Sequence, residues 1–166
     1  MPAKKSSKLT KVSIQPVVTK LPKFLAPSTS GEDVNASLLK GKKTVIYFYP
    51  KDNTSGCTKE GEDFRDHFAK FKKLGVTIYG VSRDSLKSHE NFKTKYNFPF
   101  DLLSDENEDM CKAFDVMKMK SMYGRKYLGV ERSTFYINEK GLVAKEWRNV
   151  KVPGHVEEVL NFIKDN

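Results

Sequence analysis

The chain has 166 residues, 38% of them hydrophobic and 11% aromatic, enough apolar side chains for one compact domain with a sizeable core. Its formal charge is +9, but Lys4, Lys5, Lys8, Lys11, Lys20 and Lys23 all precede the first acid, Glu32, which leaves +3 for the remainder. A mildly basic domain behind a basic arm reads as a solvated tail rather than a nucleic-acid surface, so nucleic acid is disfavoured as a partner. No apolar run approaches the roughly 18 residues needed to cross a bilayer, and no signal core follows the basic start, so neither a membrane protein nor a Sec-exported one is expected.

Residues 1 to 23 read as a flexible basic arm, with Val12 to Ile14 the candidate for a short edge strand, and residues 24 to 166 as the folded domain. Phe24 to Lys43 carries Pro27, Gly31 and Gly41 around Leu38 and Leu39, which suggests loops enclosing one helical turn. Thr44 to Tyr49 is an unbroken β-branched and aromatic run ended by Pro50, the pattern of a fully buried central strand. After a polar loop, Phe64, Phe68, Phe71 and Leu74 recur at helical spacing, with Lys and Glu on the other face. This predicts one amphipathic helix from Cys57 to Leu74.

Gly75 stops that helix, and Val76 to Ser82 reads as a second buried strand, so the unit is strand, helix, parallel strand. The alternation repeats with a helix marked by Leu86, Phe92 and Tyr96, a strand at Phe100 to Leu103, and a short helix from Asn107 to Val116. Ser133 to Ile137 and Leu142 to Trp147 flank Asn138-Glu139-Lys140-Gly141 as a hairpin, and a last helix carries Val156, Val159, Leu160 and Ile163. These elements predict an α/β class with a central mixed β-sheet flanked by helices, compatible with a thioredoxin-like fold.

Two cysteines this far apart, Cys57 and Cys111, make neither a disulfide scaffold nor a C-x-x-C pair, which points to a reducing, cytoplasmic compartment and argues against a thiol-disulfide oxidoreductase. Sec-independent export and nuclear residence stand as the alternatives. Cys57 falls at the first turn of a helix, among polar neighbours and off the Phe64/Phe68/Phe71 face. Unpaired N–H groups and a partial positive charge at that end favour a thiolate. His67, His89 and His155 form no metal-ligand spacing and read as surface or helix residues; neither metal nor other cofactor is expected.

Pro50-Lys51-Asp52-Asn53-Thr54-Ser55-Gly56-Cys57 matches the P-x-x-x-T-x-x-C signature of peroxiredoxins at a strand-to-helix junction. Together with Tyr47-Phe48-Tyr49-Pro50, Leu102-Leu103-Ser104-Asp105-Glu106 and Arg132-Ser133-Thr134-Phe135, it makes the chain from about Pro22 onward resemble the bacterioferritin comigratory protein (BCP/PrxQ) subfamily. The resemblance implies a thioredoxin-like fold and a thiol-dependent peroxidase acting on hydrogen peroxide and organic hydroperoxides. Cys57 would be the nucleophile that becomes a sulfenic acid, and the Thr54 hydroxyl would bond both thiolate and peroxide. Arg132 would stabilise the thiolate and polarise the peroxide, while Pro50, with Gly56 beside it, would shield the sulfur.

Many relatives carry a resolving cysteine five residues after the peroxidatic one and a proline before the Gly-Cys; here those positions are Glu62 and Ser55. The expectation is therefore a one-cysteine cycle recycled by an external thiol such as thioredoxin, glutaredoxin or glutathione, in a monomer. Two alternatives stand beside it. One is an atypical two-cysteine cycle with Cys111 as resolving thiol; the other is a basic nucleic-acid-binding or interaction module on the same fold.

Overall fold

The computed structural model describes residues 18–166. The arm's candidate strand at Val12 to Ile14 lies outside that range. Strand β4 (Lys43–Phe48) runs through the middle of a six-stranded sheet, and Thr44 to Tyr49 are all buried, as a run with no polar face requires. It pairs in parallel with β5 (Val76–Ser82), which pairs in parallel with β6 (Asp101–Ser104). On its other side β4 runs antiparallel to β9 (Ser133–Ile137), β9 pairs antiparallel with β10 (Leu142–Trp147), and β1 (Thr19–Lys20) closes the edge against β10. The expected hairpin at Asn138 to Gly141 forms between β9 and β10. The mixed central sheet is borne out, and β1 brings Thr19 and Lys20, at the end of the basic arm, onto its edge.

Helices cover both faces. Val45, Tyr47 and Tyr49 point into a core built with Phe64, Phe71 and Phe92. Val156, Val159, Leu160 and Ile163 of α5 (His155–Asp165) complete it. Ile46 and Phe48, the alternate residues of the same strand, point into a second core with Leu103, Met110, Phe114 and Phe135. The turn around Leu38 and Leu39 is a 3-10 helix, Ala36–Leu39, capped by the Asn35 side chain; β2 (Leu25–Ala26) and β3 (Val34–Asn35) pair beside it.

Some boundaries differ from the sequence-based expectation. The helix expected from Cys57 to Leu74 is two, α1 (Ser55–Asp66) and α2 (Phe68–Lys73). They part at His67, whose ring nitrogen Nδ1 and backbone N–H both address the Asp63 carbonyl. Helix α3 (Leu86–Tyr96) is as expected, and α4 is confined to Asp109–Ala113 because Asp105 accepts the N–H groups of Met110 and Cys111 and fixes its first turn. A two-stranded sheet of β7 (Met117–Met122) and β8 (Arg125–Val130), turning at Tyr123 and Gly124 with positive φ, was not expected at all. None of Met117 to Met122 is buried and Arg125 to Leu128 are exposed, so no buried face announces it. Among the described residues, no helix is long and apolar enough to cross a membrane.

Candidate active site

The loop leaving β4 delivers Thr54 as the N-cap of α1, so Cys57 occupies the third helical position. The first N–H to find an intrahelical partner is that of Thr58, bonded to the Thr54 carbonyl at 2.9 Å, which leaves the end of the helix facing the sulfur's surroundings. Cys57 is only 2% exposed. Arg132 arrives from the short connection between β8 and β9, and its Nη2 lies 3.5 Å from Cys57 Sγ. Gly56 makes room for that approach: a Cβ there would stand 3.2 Å from the same Nη2. Pro50 is half-buried and lines the same cleft as Arg132. Five residues, Pro50, Thr54, Gly56, Cys57 and Arg132, thus converge on one junction.

Thr54 is placed differently from the expectation. Its hydroxyl donates to the Lys51 carbonyl at 2.8 Å and closes the loop instead of bonding the sulfur.

Glu60 belongs by its spacing to the polar face of the helix, but it is fully buried. One turn after Cys57, its Oε1 accepts from Arg132 Nη1 at 2.7 Å, so a single guanidinium spans the cysteine sulfur and a buried carboxylate. Burial pushes the Glu60 carboxyl up to about 7, against the lowering effect of Arg132. Burial also opposes the charge on Arg132, yet Glu60 and Cys57 outweigh it and hold the guanidinium above its ordinary range. Among the described residues, Glu60 Oε2 and the Tyr47 hydroxyl, both buried, have no hydrogen-bond partner, and burial followed by Glu60 drives the Tyr47 phenol well above its usual value.

His89 and His155 lie on helices, as expected, but face inward and not to the surface. His89 is fully buried: Nδ1 meets Asp52 Oδ2 at 2.8 Å and Nε2 meets the Leu103 carbonyl at 2.9 Å. Asp52 sits in the loop of the cysteine motif and also accepts from Tyr49 and Ser88, so the loop is tied to α3. His155 is buried against Thr134 Oγ1 at 2.8 Å, and burial lowers it to about 4. Among the described residues, Asp52, Asp84 and His89 are the one group whose donor atoms come within 4.8 Å of one another. Those atoms already satisfy each other, Ser82, Ser88 and the Asp52 N–H, which makes the trio a loop anchor.

Cys111 lies in the other core, on the opposite face of the sheet from Cys57. It is fully buried, its N–H bonds Asp105 Oδ2 at 2.8 Å, and burial, followed by the hydrogen bond to Asp105, pushes its thiol far up. Glu62, at the position of the relatives' resolving cysteine, is half-buried on α1 beside Arg65.

Comparison with known proteins agrees with this geometry. Residues 17–146 match the AhpC/TSA family. A putative peroxiredoxin bcp of Coxiella burnetii is 50% identical over 141 residues, covering 85% of this chain and 93% of that protein. The peroxiredoxin Bcp of Bacillus subtilis is 49% identical over 146 residues, covering 88% and 93%. Peroxiredoxin Q of Xanthomonas campestris superposes with a TM-score of 0.82 at 48% identity, covering 86% of this chain and 90% of that one. The chain therefore belongs to the AhpC/TSA family and, within it, to the thioredoxin-like Bcp/PrxQ peroxiredoxins, enzymes that reduce hydroperoxides at the expense of thiols.

Proposed function

We propose that Cys57 is the peroxidatic nucleophile of a one-cysteine cycle, with Arg132 as the residue that aligns peroxide against it. The observation that carries this reading is the Arg132 fork, one arm on Cys57 Sγ at 3.5 Å and the other on buried Glu60 at 2.7 Å. A guanidinium fixed in this way offers a donor beside the sulfur at the place where negative charge moves during attack. The Cys57 thiolate attacks the terminal oxygen of ROOH; an S–O bond forms and the O–O bond breaks. The departing RO⁻ takes a proton and leaves as ROH, and Cys57 becomes a sulfenic acid. Rotation of the Thr54 side chain away from the Lys51 carbonyl would bring its hydroxyl into this arrangement, and Pro50 and Gly56 shape the entrance.

Recycling falls to an external thiol. A second cysteine within reach of Cys57 would be needed for internal resolution, and Cys111 stands on the far side of the sheet. The substrates are hydrogen peroxide and organic hydroperoxides. A Bcp of X. campestris has been studied for alkyl peroxide reduction, which supports the organic class. We place the enzyme as a monomer in a reducing, cytoplasmic compartment, with a basic arm of residues 1 to 23 that takes no part in the chemistry.

Peroxide consumption with dithiothreitol as reductant tests the assignment. Cys57→Ser should abolish turnover, while Cys111→Ser should keep it. Comparable loss in both variants, or an internal Cys57 to Cys111 disulfide as the main product after one equivalent of peroxide, would overturn the one-cysteine cycle.

A further inference from the structure

The mouth of the site is a cleft of about 350 Å³ whose lining includes Pro50, Lys118, Met119, Lys120, Glu131 and Arg132. Strand β7 thus supplies one wall and the Arg132 segment another. Lys118 is already engaged, with Nζ 3.2 Å from Asp115. Lys120 is in a different position. Among the described residues no carboxylate is within ion-pair distance of it, and its stem lies across the backbone of β8 at a glycine: a Cβ at Gly129 would stand 3.1 Å from Lys120 Cδ and would have to push the stem aside by a few tenths of an ångström. Pairing of Lys120 with Tyr127 and of Lys118 with Gly129 keeps both lysines on one face of the hairpin. Burial, and after it the Arg132 guanidinium, lower the Lys120 ammonium, while Cys57 acts in the opposite direction, as expected of a cation brought near the reacting pair.

A second cation beside Arg132, with no carboxylate of its own, suits a negative charge carried by a reactant. We infer that Lys120 recognises the carboxylate of a small reactant entering this cleft, and that this reactant is the recycling thiol. The inference rests on the external-thiol cycle proposed above. Hydrogen peroxide has no charge to read, whereas every turnover of that cycle needs a thiol to enter. The incoming sulfur attacks the Cys57 sulfenic acid; an S–S bond forms, the S–O bond breaks, and the departing hydroxide takes the thiol's proton and leaves as water. A second thiol then attacks the mixed disulfide, releasing the small disulfide and restoring Cys57.

The test uses the full chain oxidised by one equivalent of hydrogen peroxide, with one added oxygen on Cys57 verified by intact mass. Decay of that species is followed with mercaptoacetate, mercaptoethanol and cysteamine, which carry negative, no and positive charge. Intrinsic thiol reactivity cancels when the mercaptoacetate-to-mercaptoethanol ratio of rate constants is compared between proteins. That ratio should fall about threefold in Lys120→Met, as loss of one partly exposed ion pair implies, and added salt should erode it in the wild type. Gly129→Ala, which keeps the charge but displaces the stem, should lower it in the same direction. Lys126→Met, which removes an exposed charge from the other face of the hairpin, should keep the wild-type ratio. An equal ratio in wild type and Lys120→Met overturns the role of Lys120. If instead only the oxidation step, measured with a carboxylate-bearing hydroperoxide against tert-butyl hydroperoxide, loses its charge preference, the thiol assignment is overturned. Absence of the sulfenic acid itself overturns the cycle on which that assignment stands.

Discussion

Replacing Glu60 with glutamine removes an ionisation that the fold resists. In the unfolded chain this carboxyl titrates at its ordinary 4.5, while in the folded protein burial holds it at about 7. Between those values the folded state binds more protons than the unfolded one. The contribution of Glu60 to stability is therefore fully present below the lower value and is lost as pH rises towards the upper one. The gap between the two corresponds to about 3 kcal/mol, a sum already reduced by the opposing pull of Arg132. Glutamine has no proton to lose, and its carbonyl can still accept from Arg132 Nη1. Urea unfolding, followed through the fluorescence of the single tryptophan, Trp147, compares the two proteins under reducing conditions. Across roughly pH 4.5 to 7.5 the wild type should lose about 3 kcal/mol relative to Glu60→Gln, with little further change above. All other titrating groups are shared, so they cancel in the difference. Parallel stability profiles for the two proteins would refute the claim that Glu60 is a buried carboxyl with a raised titration point.

His155 predicts the opposite slope: its ring is held neutral to about 4 against an ordinary 6.5, so wild-type stability should fall as pH drops through that window, and a denaturation series with His155→Gln should flatten the fall. Arg132→Lys keeps a charge but not the fork, so one of the contacts to Cys57 and Glu60 must be lost. The second-order rate constant for Cys57 oxidation, from stopped-flow competition, should drop by about ten- to a hundredfold. Gly61→Ala would place a Cβ 2.4 Å from Phe98 Cζ, and because Phe98 stacks on Phe100 and packs edge-on against Phe92 it has little room to yield. A loss of about 1 to 3 kcal/mol in urea unfolding is expected.

The parts of this molecule legible in the sequence are those whose signal is local. The Thr44 to Tyr49 run ends at Pro50 and is buried throughout, and Cys57 falls at a helix start because the polar loop and the aromatic spacing on either side leave it nowhere else. Arg132 has no such local mark and was identified through the family motif. Glu60 was misplaced because a carboxylate on a helix reads as solvated unless its partner is known, and that partner stands 72 positions away. The burial of His89 on its helix is hidden from the sequence for the same reason, its partner Asp52 lying 37 positions back. The β7–β8 hairpin escaped notice because strand recognition relies on one apolar face, and Met119, Met122, Tyr127 and Leu128 are exposed.

The two cysteines illustrate how strand alternation bears on the chemistry. Successive residues of β4 address opposite faces: Tyr47 and Tyr49 share a core with Cys57, while Ile46 and Phe48 share one with Cys111. A disulfide needs its two Cα atoms within about 7 Å, so joining these cysteines would mean dismantling α1 or α4 and carrying a helix start past a sheet whose central strands are buried on both sides. Cys111 is moreover the less suited thiol, since Asp105 holds its backbone and faces its sulfur, and burial disfavours the thiolate that would have to attack. An incoming thiol has a shorter route, because the cleft lined by Pro50, Lys120 and Arg132 is open to solvent and Arg132 Nη2 lies 3.5 Å from Cys57 Sγ. In the one-cysteine cycle proposed above, the glutamate at position 62 and the basic wall contributed by β7 bear on the same half of the cycle: with the first, reduction would fall to an outside thiol, and the second would bias which thiol that is.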